Sequence, residues 1–314
     1  MRLEFVKEHR NCWPIKVLCR TLEVTRAAFH KWLGRKPSAT AEKQNLIVSE
    51  AKRIHALPRH QDYGSPRMHR ELVNQGIECS ENTVAKLMRE DQIQARRKPK
   101  FKISTTDSKH NSPIAPNRLN QQFAVSEINQ VWLTDFTYIP TSEGFSYLCA
   151  FKDLCSRRIV GWAMSQKIDA QLAISAFNQA VALREPPAGL IVHSDRGSQF
   201  ASKAFRQRLE DCNCLQSMSR KGNCYDNAPM ESFFKTFKAE EVYHEKYETH
   251  EQAVRAANGY IERFYNPVRL HSALDYLSPL EFEQRLLLKS EAARNLPSSE
   301  PLVGHSPGTG DRPW

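Results

Sequence analysis

The sequence predicts an α/β protein, in which a mixed five-stranded sheet carries helices on its faces and follows an all-α segment. Three apolar segments at 130–140, 145–153 and 157–165 are joined by short turns, as in an antiparallel meander. Helical and strand-like patterns then alternate, which is typical of a sheet covered by helices. Before residue 96 the apolar residues recur only at helical spacing.

Two helical hairpins are predicted in the first part of the chain. Residues 13–33 indicate helix, turn, helix, with Thr25 as the N-cap of the second helix. Residues 63–91 repeat the pattern, with Gly76 in the turn and Ser80 as the N-cap. Two such patterns favour helix-turn-helix modules, whose second helix enters a DNA major groove. A small helical packing domain is the alternative.

The positive charge is concentrated in the same region. The chain has a formal net charge of +10, but residues 1–120 hold 24 Lys and Arg against 12 Asp and Glu. The other 194 residues hold 21 against 23. This asymmetry is typical of a protein that binds a polyanion through one end.

The composition excludes several other classes of protein. No run of 18 apolar residues exists to span a membrane, and the N-terminus lacks the apolar stretch of a secretory signal. The eight cysteines include no C-x2-C pair, so we expect reduced thiols in the cytosol. A zinc site at Cys212, Cys214 and His193 is disfavoured.

Five regions follow from these patterns. We predict a helix-turn-helix at 1–40, a second DNA-binding helix-turn-helix module at 41–95, a basic linker at 96–125, an α/β core with C-terminal helices at 126–290 and a disordered tail at 291–314. The linker opens with Arg96, Arg97 and Lys98, which we expect to contact DNA phosphates.

The order of elements after the meander completes the sheet. The predicted strands are 189–194 and 215–218, and the predicted helices are 169–184, 199–212, 226–240, 249–265 and 278–290. In a sheet of this order the first and fourth strands can be neighbours.

Two aspartates stand at notable places on those two strands. Asp135 lies in the middle of the first strand, within WLTDFTY, and Asp195 ends the fourth, in IVHSDRG. A carboxylate among apolar residues costs free energy unless it is paired, hydrogen-bonded or bound to metal. Two neighbouring carboxylates repel each other, and a divalent cation is the common remedy. His193 either orders this site or packs in the core. Asp153 is expected to cap a turn.

A third acid is predicted on the helix of residues 226–240. Glu231, Lys235 and Lys238 share one helical face, while Met230 and Phe233 fall on the face that packs on the sheet. Glu231 alone indicates no more than a surface ion pair with Lys235. Together with Asp135 and Asp195 it indicates a metal-binding carboxylate, with the lysines directed toward a phosphate backbone.

The spacing and the amino-acid sequences of these motifs resemble those of a known family. Asp195 and Glu231 are separated by 35 residues, and a lysine follows Glu231 by seven. This D…D-35-E…K pattern resembles the retroviral-integrase superfamily of DDE enzymes. The surrounding motifs resemble OrfB-type transposases of the insertion sequence three family: CRTLEVTRAAFHKWL, YGSPRMHREL, VWLTDFTYI, SYLCAFKDLCSRRIVGWAMS, VHSDRGSQF, SMSRKGNCYDNAPMESFFKTFKAE and FYNPVRLHSALDYLSPLEFE. Asp275 departs from the more usual Gly, away from the acids.

The resemblance implies a ribonuclease-H-like core and two Mg²⁺ ions, which Mn²⁺ can replace, held by Asp135, Asp195 and Glu231. It implies cleavage of DNA 3′ ends and strand transfer, with Lys238 at the terminal nucleotides of the element. Four further residues are expected to contact DNA close to the site: Lys235, Asn227, Arg220 and Lys221. Arg269 and His271 match a family signature to which we assign no chemistry.

The resemblance also implies partners. These are double-stranded DNA with terminal inverted repeats, target DNA, a second copy of the chain, and the product of an upstream reading frame or a frameshift fusion with it. A bacterial, cytoplasmic, nucleoid-associated protein is expected. Two alternatives stay open: a Mg²⁺-dependent nuclease that does not join DNA, and a non-catalytic helix-turn-helix regulator. A zinc-binding retroviral integrase would need an N-terminal His/Cys cluster, which the sequence lacks.

Overall fold

The computed structural model describes residues 1–36, 38–96 and 112–294. The chain divides into two compact units, residues 1–96 and 97–314. Within the described residues, no helix is both long and apolar enough to cross a membrane. Arg97, Lys98 and the predicted tail beyond residue 294 lie outside the described residues.

The first unit is entirely helical. Its helices are α1 (Arg2–His9), α2 (Ile15–Thr21), α3 (Arg26–Leu33), α4 (Ala39–His55), α5 (Ser65–Asn74) and α6 (Glu81–Glu90). Both predicted hairpins are present as α2–α3 and α5–α6. Thr25 and Ser80 cap α3 and α6 as predicted, each accepting a backbone N–H from three residues further on. The helices α1 and α4 were not predicted.

Each hairpin has its own apolar core, to which an unpredicted helix contributes. Val6 of α1 packs with Leu18 and Phe29 of the first hairpin. Ile47 and Ile54 of α4 belong to the core of the second. Each added helix therefore supplies apolar surface that a two-helix hairpin cannot provide alone.

The second unit contains the predicted mixed sheet. Its strands are β1 (Val131–Thr141), β2 (Gly144–Asp153), β3 (Ile159–Ser165), β4 (Ile191–Ser194) and β5 (Leu215–Met218), in the spatial order β3-β2-β1-β4-β5. The first three strands pair antiparallel, whereas β4 pairs parallel with β1 and β5 parallel with β4. This is the ribonuclease-H-like arrangement, so the predicted fold class is confirmed.

Helices pack against the sheet. They are α7 (Ala170–Arg184), α8 (Ser198–Ala201), α9 (Lys203–Asp211), α10 (Ala228–Glu240), α11 (His250–Tyr260) and α12 (Pro279–Arg294). The helix α7 lies directly on β3 at Gly161, where an added Cβ would come within 2.5 Å of the backbone of Ala176 and Ala180. Glycine is needed there because any larger residue would push the helix off the sheet.

Three element boundaries differ from the prediction. The helix predicted at 199–212 is divided at Ser202, whose side chain instead caps α9 by accepting the Phe205 N–H. The helix predicted at 249–265 ends as α11 at Tyr260 and continues as a π-helical turn, Ile261–Tyr265. The tail was predicted to begin at 291, but α12 continues to Arg294. Residues 291–294 (EAAR) are good helix formers, which explains the extension.

Candidate active site

Asp135 and Asp195 are brought together by the pairing of β1 with β4. The register of the two strands places Leu133 beside His193. Asp135 lies two residues further along β1, and Asp195 follows directly after the end of β4. Both side chains are half-buried. Each carboxylate also accepts a nearby backbone N–H: Phe136 donates to Asp135 over 2.7 Å, and Gly197 to Asp195 over 2.9 Å.

The proximity of the acids changes the proton affinity of Asp135. Burial raises its pKa well above the ordinary value, and the negative charges of Asp195 and then Glu231 raise it further. The Phe136 N–H and the charge of Lys238 act in the opposite direction. A cation placed between the acids would reverse this balance. In the part of the chain that is described, no three His, Cys, Asp or Glu side chains form a ready-made metal cage.

Glu231 stands on the first turn of α10. The helix packs through Met230, Phe233 and Phe237, all buried as predicted. Glu231 and Lys235 are exposed on another face. Loss of hydration raises the pKa of Glu231. The negative charge of Glu231 in turn contributes to the raised pKa of Asp135.

Lys238 lies two turns further along the same helix, half-buried over an aromatic ring. Its Nζ is 3.8 Å from the centre of the Tyr138 ring on β1, a cation–π contact. Loss of hydration lowers the pKa of Lys238 to about 8, an effect that the negative charge of Asp135 opposes. The amine is therefore close enough to Asp135 to interact with its charge, and it is more buried than Glu231 and Lys235.

Three buried contacts fix α10 relative to the rest of the unit. At its start, Asn227 Nδ2 donates to the Thr134 carbonyl over 3.2 Å and Lys152 Nζ donates to the Pro229 carbonyl over 3.0 Å. At its end, Arg269 binds Glu240. Sequence reasoning missed Lys152, whose only signal is a charge at the end of an apolar strand, FSYLCAFKD.

The residues predicted to contact DNA around the site differ in their exposure to solvent. Lys221 and Lys235 are exposed. The Arg220 guanidinium is held by Asp226, a residue that was not predicted to take part in the site. Asn227 was predicted to contact DNA, but its side chain is only 3% exposed and faces β1. Its buried amide fastens the loop to the strand that carries Asp135.

Two residues whose roles stayed open in the sequence have structural contacts. His193 is fully buried, with its ring nitrogens at 2.8 Å and 3.1 Å from the hydroxyls of Ser217 and Ser219. Burial lowers the pKa of His193 to about 4, so the ring is neutral at pH 7. His271 packs edge-on against the ring of Tyr265.

Asp153 acts as predicted, by capping a turn. Its Oδ1 accepts the backbone N–H groups of Cys155 and Ser156, and its Oδ2 accepts that of Asn129. The residue is completely buried at the end of β2. These contacts account for an acid that could otherwise be mistaken for a fourth metal ligand.

Arg96 is the one described member of the predicted basic run. Its guanidinium binds the carboxylate of Asp62 through two nitrogens, and its backbone N–H donates to the Gln61 carbonyl. The residue therefore closes the second helical hairpin onto the turn before α5. Its side chain stays about one-third exposed, at 32%.

Comparison with known protein families agrees with both units. A family model described as "Integrase core domain" matches residues 126–224, and a second model of the same description matches residues 231–287. A model described as "HTH-like domain" matches residues 42–101. Among solved structures, the catalytic core domain of HTLV-2 integrase in complex with magnesium has a TM-score of 0.39 and 18% identity, covering 49% of this chain and 95% of that one.

Curated relatives share most of their length with this chain. The uncharacterized 31 kDa protein of insertion element IS600 from Shigella sonnei is 40% identical over 268 residues, 85% of this chain and 98% of the relative. Transposase InsF of insertion sequence IS3A from Escherichia coli K12 is 37% identical over 288 residues, 91% of this chain and 100% of the relative. The acids of the site lie on an integrase core, so the protein belongs to the insertion sequence three family of DDE transposases.

Proposed function

We propose that this transposase cleaves the 3′ ends of an insertion sequence and joins them to DNA, using two Mg²⁺ ions held by Asp135, Asp195 and Glu231. The observation that carries the proposal is the parallel pairing of β1 with β4, because Asp135 and Asp195 each lie two residues beyond the last paired residues, Leu133 and His193. Burial and the negative charges of Asp195 and Glu231 raise the pKa of Asp135, which supports a single site for the three acids.

The donor set fits magnesium. Carboxylate oxygens are hard ligands, and Mg²⁺ is commonly held by one or two carboxylates together with water and substrate phosphate oxygens. A site completed by DNA is consistent with acids that do not form a closed cage on their own. When bound, two such ions activate an attacking hydroxyl and neutralise charge on the transferring phosphate.

The chain's own residues orient the DNA around this centre. Asp135 and Asp195 fix one side of the site from the sheet, and Glu231 approaches from α10. Lys235 and Lys238 lie about one and two helical turns beyond Glu231, where they bind phosphates of the terminal nucleotides. No serine or tyrosine nucleophile is needed, because water or a DNA 3′ hydroxyl attacks the phosphorus directly.

The first unit supplies recognition of the element ends. The net positive charge lies in residues 1–120, and the second helical hairpin matches a helix-turn-helix family model. The exposed part of Arg96, with Arg97 and Lys98, extends this binding along the phosphate backbone. Assembly on paired ends requires at least two copies of the chain, and an upstream reading-frame product or fusion completes the active form in the nucleoid.

The test is metal-dependent nicking and joining of labelled DNA that carries the element's ends. Asp195→Asn keeps the side chain's shape and removes its charge. Asp211→Asn, an exposed residue at the end of α9, is the matched control. We expect joined product with Mg²⁺ or Mn²⁺ from the intact protein and from Asp211→Asn, and none from Asp195→Asn, with equal DNA binding by all three.

Other outcomes identify the alternatives. Cleavage without joining would favour a nuclease. DNA binding without cleavage, even after the fused upstream segment is added, would favour a non-catalytic regulator. Activity of Asp195→Asn equal to that of the intact protein would contradict the assignment of the acids.

A further inference from the structure

Asp226 is a fully buried carboxylate in the loop that joins β5 to α10, between Asp195 and Glu231 in the chain. Arg220 binds it with two guanidinium nitrogens, at 3.0 Å and 2.7 Å, and with its backbone N–H at 2.8 Å. Asn223 Nδ2 donates to it over 3.2 Å. Arg220 holds the pKa of Asp226 well below its usual range.

Two further donors to Asp226 come from outside the loop. Asn117 Nδ2 and Gln121 Nε2 donate to its two carboxylate oxygens over 3.0 Å and 2.8 Å. Both belong to the stretch that the sequence assigns to a linker. Leu119, between them, is only 3% exposed, and the Arg118 N–H donates to Ser217 Oγ over 2.9 Å. Residues 117–121 are therefore docked on the core and are not a free tether.

The loop connects this docked segment to the acids. The residue after Asp226 is Asn227, whose amide donates to the carbonyl of Thr134, the neighbour of Asp135. The helix α10 then begins, with Glu231 in its first turn. Six residues before Asp226 in the chain, Arg220 binds the carboxylate through two guanidinium nitrogens, while its side chain stays 54% exposed. Its guanidinium is thus oriented but still accessible.

We propose that Asp226 is a positioning residue, which locks residues 117–121 and Arg220 onto the loop of residues 219–227 and so fixes Glu231 relative to Asp135 and Asp195. The effect of Asp226 on catalysis rests on the proposed function, whereas its anchoring of the loop is independent of that function. In this arrangement the segment leading from the DNA-binding unit is part of the scaffold of the active site.

The experiment combines hydrogen exchange with DNA joining in the full-length protein. Asp226→Asn removes the charge at the centre of the network, and Asp211→Asn removes an exposed charge from the same unit as the control. Gln121→Ala removes one donor from the docked segment and leaves the Asp226–Arg220 contact in place. Exchange is followed in peptides covering the loop and β1, and joining is measured at saturating end DNA.

We expect Asp226→Asn to accelerate exchange of the loop amides, Arg220 N–H included, by about tenfold or more, the effect of losing a charge-assisted hydrogen bond. Exchange in β1 stays unchanged. The joining rate at saturating DNA falls by about 10-fold to 100-fold, the usual cost of misplacing a group near a reacting centre. The half-saturating DNA concentration changes less. Gln121→Ala gives smaller changes in the same direction, and Asp211→Asn gives none.

Three results would overturn the proposal. One is unchanged loop exchange in Asp226→Asn. A second is accelerated loop exchange with a joining rate equal to that of the intact protein. The third concerns a variant that is unfolded more widely. If Asp226→Asn accelerates exchange in β1 as well, Gln121→Ala becomes the deciding variant, and unchanged loop exchange and joining in Gln121→Ala would overturn the proposal. If the intact protein fails to join DNA even after the fused upstream segment is added, the proposed function falls, and the exchange result alone still decides whether Asp226 anchors the loop.

Discussion

Arg269 and Glu240 form a buried ion pair, in which guanidinium Nε and Nη2 each lie 2.7 Å from a carboxylate oxygen. The Tyr260 hydroxyl donates to the same carboxylate over 2.8 Å. Glu240 is the last residue of α10, the helix that carries Glu231 and Lys238. The YNPVRLHSAL motif, which had no chemistry in the sequence, thus holds the end of the catalytic helix.

Removing Arg269 is therefore expected to destabilise the second unit. Arg269→Met leaves Glu240 charged and buried without its cation, and breaking a buried pair in this way costs about 3–5 kcal/mol of unfolding free energy. The measurement is equilibrium urea unfolding, followed by tryptophan fluorescence.

Two controls define this expectation. Arg255→Met, at an exposed position on α11, is expected to stay within about 0.5 kcal/mol of the intact protein. Replacing both partners, by Arg269→Met with Glu240→Leu, is expected to recover most of the loss, because no uncompensated charge remains. A loss below about 1 kcal/mol for Arg269→Met alone would show that the pair does not hold the helix.

The sequence predicted the acids of the site better than the residues that hold them. Asp135 was proposed as a charge within an apolar strand, Asp195 from a strand end, and Glu231 from helical spacing and the 35-residue interval. Lys152 and Asp226 do not, because their partners are distant in the chain: Lys152 binds a carbonyl 77 residues away, and Asp226 binds an amide 109 residues away. Local patterns carry no information about such pairs.

The same limit applies to the fold. Alternation of apolar residues and capping residues predicted the strands and both helical hairpins. The missed helices α1 and α4 complete apolar cores whose extent depends on tertiary packing. Within the predicted linker, the docking of residues 117–121 on the core was not predicted, because their polar side chains suit a solvated tether equally well. The buried Asp226 accepts the side-chain amides of Asn117 and Gln121, and no local pattern in the sequence indicates that contact.

Lys152 makes the stability of the second unit depend on pH. It is 5% exposed and donates to the Pro229 carbonyl, and burial lowers its pKa well below the ordinary value, with Arg157 and Arg269 adding to the effect. The unfolded lysine keeps a pKa of about 10.4. Between the two values the unfolded chain binds one more proton, so the free energy of unfolding rises with pH in that window.

Lys152→Met is expected to remove this slope. The variant should be more stable than the intact protein at pH 7, and the difference should shrink as the pH approaches about 10.4. Urea unfolding at a series of pH values between 7 and 10 measures it. Lys203→Met, at an exposed position, should keep the slope of the intact protein. Parallel curves for Lys152→Met and the intact protein would mean that the pKa of Lys152 is the same in the folded and unfolded states.

Lys238 is expected to contribute one phosphate contact to the binding of end DNA. Its amine lies over Tyr138 and beside Asp135, on the same helix as Glu231. Each phosphate neutralised by a cation contributes about 0.9 to the slope of log affinity against log salt concentration. Lys238→Gln should therefore weaken binding at low salt and lower that slope by about 0.9. Lys167→Gln, at an exposed position just after β3, provides the matched loss of charge. Equal slopes for Lys238→Gln and Lys167→Gln would place Lys238 away from the DNA, as a packing partner of Tyr138 alone.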